Sequence, residues 1–586
     1  MSAASALAAA QKPSMQHASP ADPDFSKPLA WLRSPAAVMA AGAILGLIFY
    51  VVIYGVARLD PANIGWLMQG DAATHYLGWA FFRHEPWSFP LGALHRYGLE
   101  IAASIVYSDS IPILALLFKP FSSWLPEPFQ YTGLWILLCC LLQGALAALL
   151  LRRFSDNLPF VLLGTGFFLL SPIMVIRSGG QFAGHFSLLG QWLILAALLL
   201  YFSDRLRAAG WFWGLLIALA ALTHAYLAVM VAAIGVASLS RGLLQDTAFG
   251  IVALLRALIP MLLLPLVAMW LAGYFVIGGY SGGGAGFYSM NLLAPFLPTV
   301  TLQSAFLPSH PVATAGQYEG FNYLGLGVLL LLALALATTL RQWREVARSY
   351  RFWLPLVGVC VLLTLYALSP RITLGTQTLL ELPYPASVVE VFRATGRMFW
   401  PVHYALILFA LIGAQRIANQ RLLIAIVAAA LLLQWQDLRL IVYHRSTMKD
   451  AAAVYQSPFQ GAFWSRAAAP YDRVLLVPPT FSVHDFVPFA DYAARHQLGI
   501  NIAYYGRPPS AAAQAQRDQA VRDFLAGIVD PDALYIITQP ALLPTIQARL
   551  APGDRLEHHD GYWVLLPGAA ALELAPESPR LPRAQP

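Results

Sequence analysis

Residues 211–240 read WFWGLLIALAALTHAYLAVMVAAIGVASLS, and how this run divides sets the architecture of the whole chain. Thirty residues exceed the roughly 20 that one helix needs to cross a bilayer, and Thr223-His224-Ala225-Tyr226 lies at the middle. Read as two short spans, the run puts RQWREVARSYR (341–351) on the same side as Arg152-Arg153, Arg205/Arg207 and Arg416/Arg421. Read as one span, it puts those groups on opposite sides. Basic loops next to spans collect on the cytoplasmic side, so the divided reading is preferred.

The rest of the chain fits a membrane class. Of its 586 residues 58% are hydrophobic and 11% charged, against about 25% charged in soluble chains. The net charge of +7 belongs to these loops and is no sign of nucleic-acid binding. Further apolar runs cover 36–57, 130–151, 159–176, 185–202, 257–278, 321–340, 352–369, 398–415 and 422–443. With 211–240 divided, the expectation is a polytopic α-helical membrane protein with about 11 transmembrane helices, N-terminus inside and C-terminus outside. Residues 1–35 are polar and Ala/Pro/Ser-rich, without the apolar core of a signal peptide, and read as a disordered cytoplasmic tail. Cys139, Cys140 and Cys360 lie in apolar runs and imply neither disulfides nor a metal cluster.

Three outer loops are expected at 58–129, 279–320 and 370–397. Within the first, Ser110–Phe118 is too short to span and reads as a re-entrant or interfacial piece. The second opens on GGYSGGGAGFYS, a candidate mobile lid. After residue 444, YDRVLLVPP, ALYIITQP and GYWVLLPG read as strands, and AAAQAQRDQAVRDFLAG and LLPTIQARL as helices. This alternation predicts a small α/β periplasmic domain over 444–568, followed by a disordered tail, 569–586.

The chemistry concentrates at MQGDAATHYLGWAFFRHEPW (68–87), where Asp71, His75, Trp79 and Phe82 recur at helical spacing. Asp71 suits a general base, with His75 one turn above to tune it; the plain alternative is a helix N-cap. Arg393 and Arg397 stand four apart in VVEVFRATGRMFWPVHYALIL (388–408), and Arg177 lies in MVIRSGGQFAGH. All three are expected outside, against the positive-inside trend, where they hold an anion or merely snorkel. Glu100, Asp109, His185, His224, Gln317 and Glu319 are further polar candidates for substrate binding. Trp79 could stack on a sugar, although an aromatic belt also places Trp there.

The long first loop opening on an acidic helix, and the Phe392-Arg393-x-x-Gly396-Arg397 entry into a late span, resemble the GT-C superfamily of membrane glycosyltransferases. The likeness covers most of the chain. It implies a polyprenyl-phosphate-linked sugar donor, a glycan, lipid or protein acceptor, membrane lipids as surroundings, no nucleic acid, and a site on the outer face of a bacterial inner membrane. In that reading Asp71 and His75 are catalytic, and Arg393, Arg397 and Arg177 bind the donor phosphate. The paired acidic motif of the superfamily is absent, since Asp71 is followed by Ala72 and Ala73. No metal ligands are therefore assigned, and a divalent cation (Mg or Mn) stays open as a cofactor. A transporter or flippase for a lipid-linked glycan, or a non-catalytic envelope-assembly protein, remain the other readings.

Overall fold

The computed structural model describes residues 34–100, 103–178, 184–206, 209–245, 250–276, 283–300, 303–342, 344, 350–384, 390–446, 455–459, 461–479, 485–505 and 510–569. The expected tails, most of the 341–351 loop and the first residues of the candidate lid lie outside the described residues.

Among the described residues seven helices are long and apolar enough to cross a membrane: Pro35–Tyr54, Thr132–Arg152, Ala225–Gln245, Ile251–Ala272, Tyr350–Leu368, Thr395–Ala414 and Gln420–Val442. This is fewer than the eleven expected. The other four apolar runs form shorter helices, Leu158–Leu169, Phe186–Tyr201, Gly210–Ala221 and Leu326–Arg341. At 1.5 Å per residue a 12-residue helix such as Gly210–Ala221 covers about 18 Å, short of a hydrocarbon core of about 30 Å. The reasons are local. Ser171-Pro172 follows Leu158–Leu169, and Gly325, in a left-handed conformation (φ 86°), delays Leu326–Arg341. The 211–240 run breaks at Leu222–His224. There His224 Nδ1 accepts the Tyr226 backbone N–H at 3.2 Å, so the ring satisfies a donor of the new helix.

Close backbone approach and buried polar bonds hold the helices together. Gly42 and Gly46 sit one turn apart on Pro35–Tyr54, against Thr132–Arg152. A Cβ at Gly42 would fall 2.3 Å from the Gly144 carbonyl oxygen, and one at Gly46 would fall 2.1 Å from that of Cys140. Small residues at this spacing let two membrane helices touch along their backbones. Elsewhere, Tyr404 Oη donates to Gln191 Oε1 (2.6 Å) and accepts from Gln143 Nε2 (2.9 Å). The buried Asp437 accepts from Ser304 Oγ, Tyr323 Oη (2.7 Å) and the Leu326 N–H (3.0 Å). That carboxylate fastens the 303–326 segment to the last long helix.

The C-terminal region carries a five-stranded mixed sheet in the order Gly499–Ile500, Arg473–Val477, Ala533–Ile537, Tyr562–Leu566, Arg555–His559. The first three run parallel to one another, Tyr562–Leu566 runs antiparallel to Ala533–Ile537, and Arg555–His559 pairs antiparallel with Tyr562–Leu566. Three expected strands and the helices Ala511–Leu525 and Leu543–Gln547 are present. Strands Gly499–Ile500 and Arg555–His559 and helices Ala462–Ala468 and Val487–Arg495 add to them. RLEHH lacks an apolar run because it forms a half-buried edge. The opposite edge is covered by the first loop. Gly98 and Leu99 N–H both donate to Ile500 O, and Ile500 N–H donates to Arg96 O, which removes a free sheet edge.

The glycine seam predicts a large asymmetry between positions. Gly46→Val should destabilise the protein by about 1–3 kcal/mol through overpacking, seen as a lower melting temperature in detergent. Gly358→Ala, in a helix where an added Cβ meets nothing within 4 Å, should leave it unchanged or higher.

Candidate functional site

The helix Gly70–Phe82 starts after Gln69, so Asp71 stands in its first turn and is not its N-cap. Gly184 presses against Asp71; a Cβ there would lie 2.4 Å from Asp71 Cβ. The next residue, His185, joins two carboxylates. Its Nε2 lies 3.7 Å from Asp71 Oδ2 and its Nδ1 2.8 Å from Asp109 Oδ2. His224 Nε2 reaches Asp109 Oδ1 at 3.4 Å, and Ser187 Oγ donates to the same oxygen at 3.4 Å. Asp109 takes a left-handed backbone (φ 55°) that turns its side chain back to this cluster. Burial alone would raise the Asp109 carboxyl. The hydrogen bond from His185 and the nearby His224 and His75 outweigh it, holding Asp109 well below the usual carboxylate range.

The consequence is a fixed ring: with Nδ1 of His185 held by Asp109, its Nε2 faces Asp71.

A second charged group lies deeper. Arg397 grips Glu319 with Nε on Oε2 and Nη2 on Oε1, both at 2.8 Å, and Arg177 Nη2 adds 2.7 Å to Oε2. All three are buried. Burial would raise the Glu319 carboxyl, but the two guanidiniums dominate and hold it far below its ordinary value. Arg397 also lies over the Tyr226 ring (5.1 Å) and Arg393 over the Tyr288 ring (5.3 Å).

Most of these groups line one cavity of about 470 Å³. Asp71, Asp109, His185 and His224 stand in its wall with Arg393, Arg397 and Glu319, among tyrosines 107, 226, 274, 288, 318, 504 and 505. A larger cavity, about 740 Å³, lies behind the same helix and shares no residue with it. The acids of that larger cavity are largely engaged, Glu127 with Arg83 and His84 and Asp491 with Arg495. Among the described residues no group of three or more His, Cys, Asp and Glu is arranged to hold a metal ion.

Several expected residues fall elsewhere. His75 does not tune Asp71. It is buried, accepts the Phe186 N–H at Nε2 (3.2 Å) and packs on the Phe186 ring. Arg177 is absent from the cavity lining and serves Glu319. Glu319 stays in the cavity wall, with its carboxylate engaged by Arg177 and Arg397. Glu100 pairs with Arg517 of the C-terminal region at 3.5 Å. Gln317 bonds Asn291, Thr373 and the Ala313 N–H. Trp79 is buried and donates Nε1–H to Phe129 O (3.0 Å). Tyr504 and Tyr505 carry no sequence signal that marks them for the site. Tyr504 in NIAYYGRPP follows a strand in an otherwise unremarked loop.

Burial pushes the His75 ring down to about 4. Its folded value lies below the unfolded one of about 6.5, so protons favour the unfolded chain as pH drops from about 6.5 towards 4. Stability should fall by roughly 3 kcal/mol over that window. Melting curves at pH 7.5, 5.5 and 4.5 should show a shallower decline for His75→Gln than for the wild type.

A model for a DUF6311 C-terminal domain matches residues 463–567, and no curated protein matches the chain. The model described as "Domain of unknown function (DUF6311)" matches residues 43–439, and the chain accordingly belongs to the DUF6311 family.

Proposed function

We propose that this protein is a membrane glycosyltransferase of the GT-C type, moving a sugar from a polyprenyl phosphate to a glycan, lipid or protein acceptor. The observation that carries the reading is the meeting of Asp71 with Arg393 and Arg397 in one tyrosine-lined cavity at the ends of apolar helices. A lipid-linked donor needs an apolar path for its tail and a cationic end for its phosphate. The acceptor hydroxyl needs a carboxylate.

In this mechanism the acceptor O–H loses its proton to Asp71 as its oxygen attacks the sugar anomeric carbon. The bond from that carbon to the phosphate oxygen breaks, and polyprenyl phosphate leaves. Arg393 and Arg397 stabilise the charge that grows on the phosphate; a buried, preorganised cation is worth far more than one in water. Glu319 occupies Nε and Nη2 of Arg397, leaving Nη1 outside that fork. His185, held by Asp109, orients Asp71 in the role first assigned to His75. Inversion at the anomeric carbon follows if Asp71 and the arginines lie on opposite faces of the sugar. The four shorter apolar helices complete an eleven-segment bundle in this reading. The cavity and the C-terminal region face the periplasm of a bacterial inner membrane.

The test is donor consumption. Protein in nanodiscs receives a panel of polyprenyl-phosphate sugars, and free polyprenyl phosphate is followed by mass spectrometry. Asp71→Asn should lower release by about 10²–10⁴-fold with an unchanged melting temperature. Full activity in that variant sinks the mechanism, and no release from any donor by the wild type, with acceptor glycosides added, moves the reading towards transport or assembly.

A further inference from the structure

Tyr504 comes from the C-terminal region, yet it lines the same cavity as Asp71. Asp71, Arg393 and Tyr288 line that cavity with it. The Tyr504 ring faces that of Phe486 at an inclination of 30°, with 6.1 Å between centroids. The adjoining Tyr505 donates Oη–H to Tyr97 O at 2.6 Å. The whole segment is tied to the first loop by the 96–99 backbone bonds to Ile500 and by Glu100–Arg517. The loop that follows the Asp71 helix and the strand that presents Tyr504 are thus one joined unit.

We infer that Tyr504 is a specificity-determining residue that stacks on a pyranose ring of the acceptor and presents its hydroxyl to Asp71. This rests on the glycosyltransferase reading. A donor lipid must enter from the apolar helices. The wall supplied by the C-terminal region belongs to a folded α/β unit outside that bundle, and is the one left for the water-soluble partner. A sugar ring has an apolar C–H face that packs on an aromatic face, while its hydroxyls need acceptors. Tyr504 and Asp71 provide one of each. Glu100 and Arg517 act at a remove, as positioning residues for this wall.

The experiment is saturation-transfer NMR on nanodisc-embedded protein, with methyl glycosides of common hexoses and N-acetylhexosamines as probes. The wild type and Tyr504→Phe should transfer saturation to at least one glycoside. Tyr504→Ala should reduce it about fivefold, with an unchanged melting temperature. Should Tyr504→Ala fail to fold, Tyr504→Leu keeps apolar bulk without the aromatic face and should show the same loss. Equal transfer in those variants, or no transfer from the wild type to any probe, overturns the inference. Polyprenyl phosphate release by the same preparation tests the parent reading separately. Release without Tyr504-dependent binding removes only this inference. Tyr504-dependent binding without release removes only the enzyme.

Discussion

The buried carboxylate of Glu319 and its two arginines form the constraint on which the site depends. Desolvating three charges is expensive, and only close, fork-shaped pairing offsets it. The pairing has to be built from three separate places: the turn at Ile176–Ser178, the turn at Ala315–Gly320 and the turn at Thr395–Phe399. None of these can shift without exposing a naked charge to an apolar surround. Beside this anchor Arg393 stands four residues before Arg397, on irregular backbone ahead of the Thr395–Phe399 turn, and Tyr226, Tyr288 and Tyr318 line the same cavity. Two arginines against one glutamate leave one positive charge more than the anchor needs, and that excess sits at the edge of the cavity.

The opposite wall obeys a different logic. Asp71 is set by a regular helix, but its partners arrive on irregular backbone: Asp109 at positive φ, His185 just after Gly184, and His224 at a helix break. Carboxylates and imidazoles so placed share protons and fix each other's orientation. Because Asp109 is spoken for by two histidines and a serine, Asp71 is the carboxylate left to meet an incoming group. Rigid support behind Asp71 suits the proton-accepting role proposed for it.

Apolar run length and charge made the bundle legible from sequence, and alternation made most of the C-terminal sheet legible. Length alone overcounted the long helices, because runs such as 159–176 and 321–340 include residues that turn or extend at Pro172 and Gly325. Helical spacing correctly put Asp71 and His75 on one helix, then misled about their partnership. Burial turned His75 towards Phe186, and the imidazole beside Asp71 comes from over 100 residues further on, through a glycine contact that no local pattern announces. Asp71, Asp109, His185, His224, Arg393 and Arg397 were all singled out as separate polar residues on one face. Their convergence is a tertiary fact. The tyrosines were harder, since a membrane chain places aromatics at interfaces for reasons unrelated to binding.

The mixed origin of the walls bears on why an α/β unit is attached to a helical bundle at all. Helices that span a membrane present side chains to lipid and to each other, and they have little means of shaping a polar cavity at their ends. The first loop resolves this by lending its backbone to the sheet edge at Ile500 while its own preceding helix carries Asp71. Sheet pairing is directional and register-specific, so docking by backbone bonds fixes where Tyr504 and Tyr505 stand relative to that helix to within a residue. A hydrophobic docking face would have allowed sliding. The cavity thus takes Arg393 and Arg397 from the segment leading into the bundle and Tyr504 and Tyr505 from the C-terminal region, the division of labour on which the proposed transfer relies.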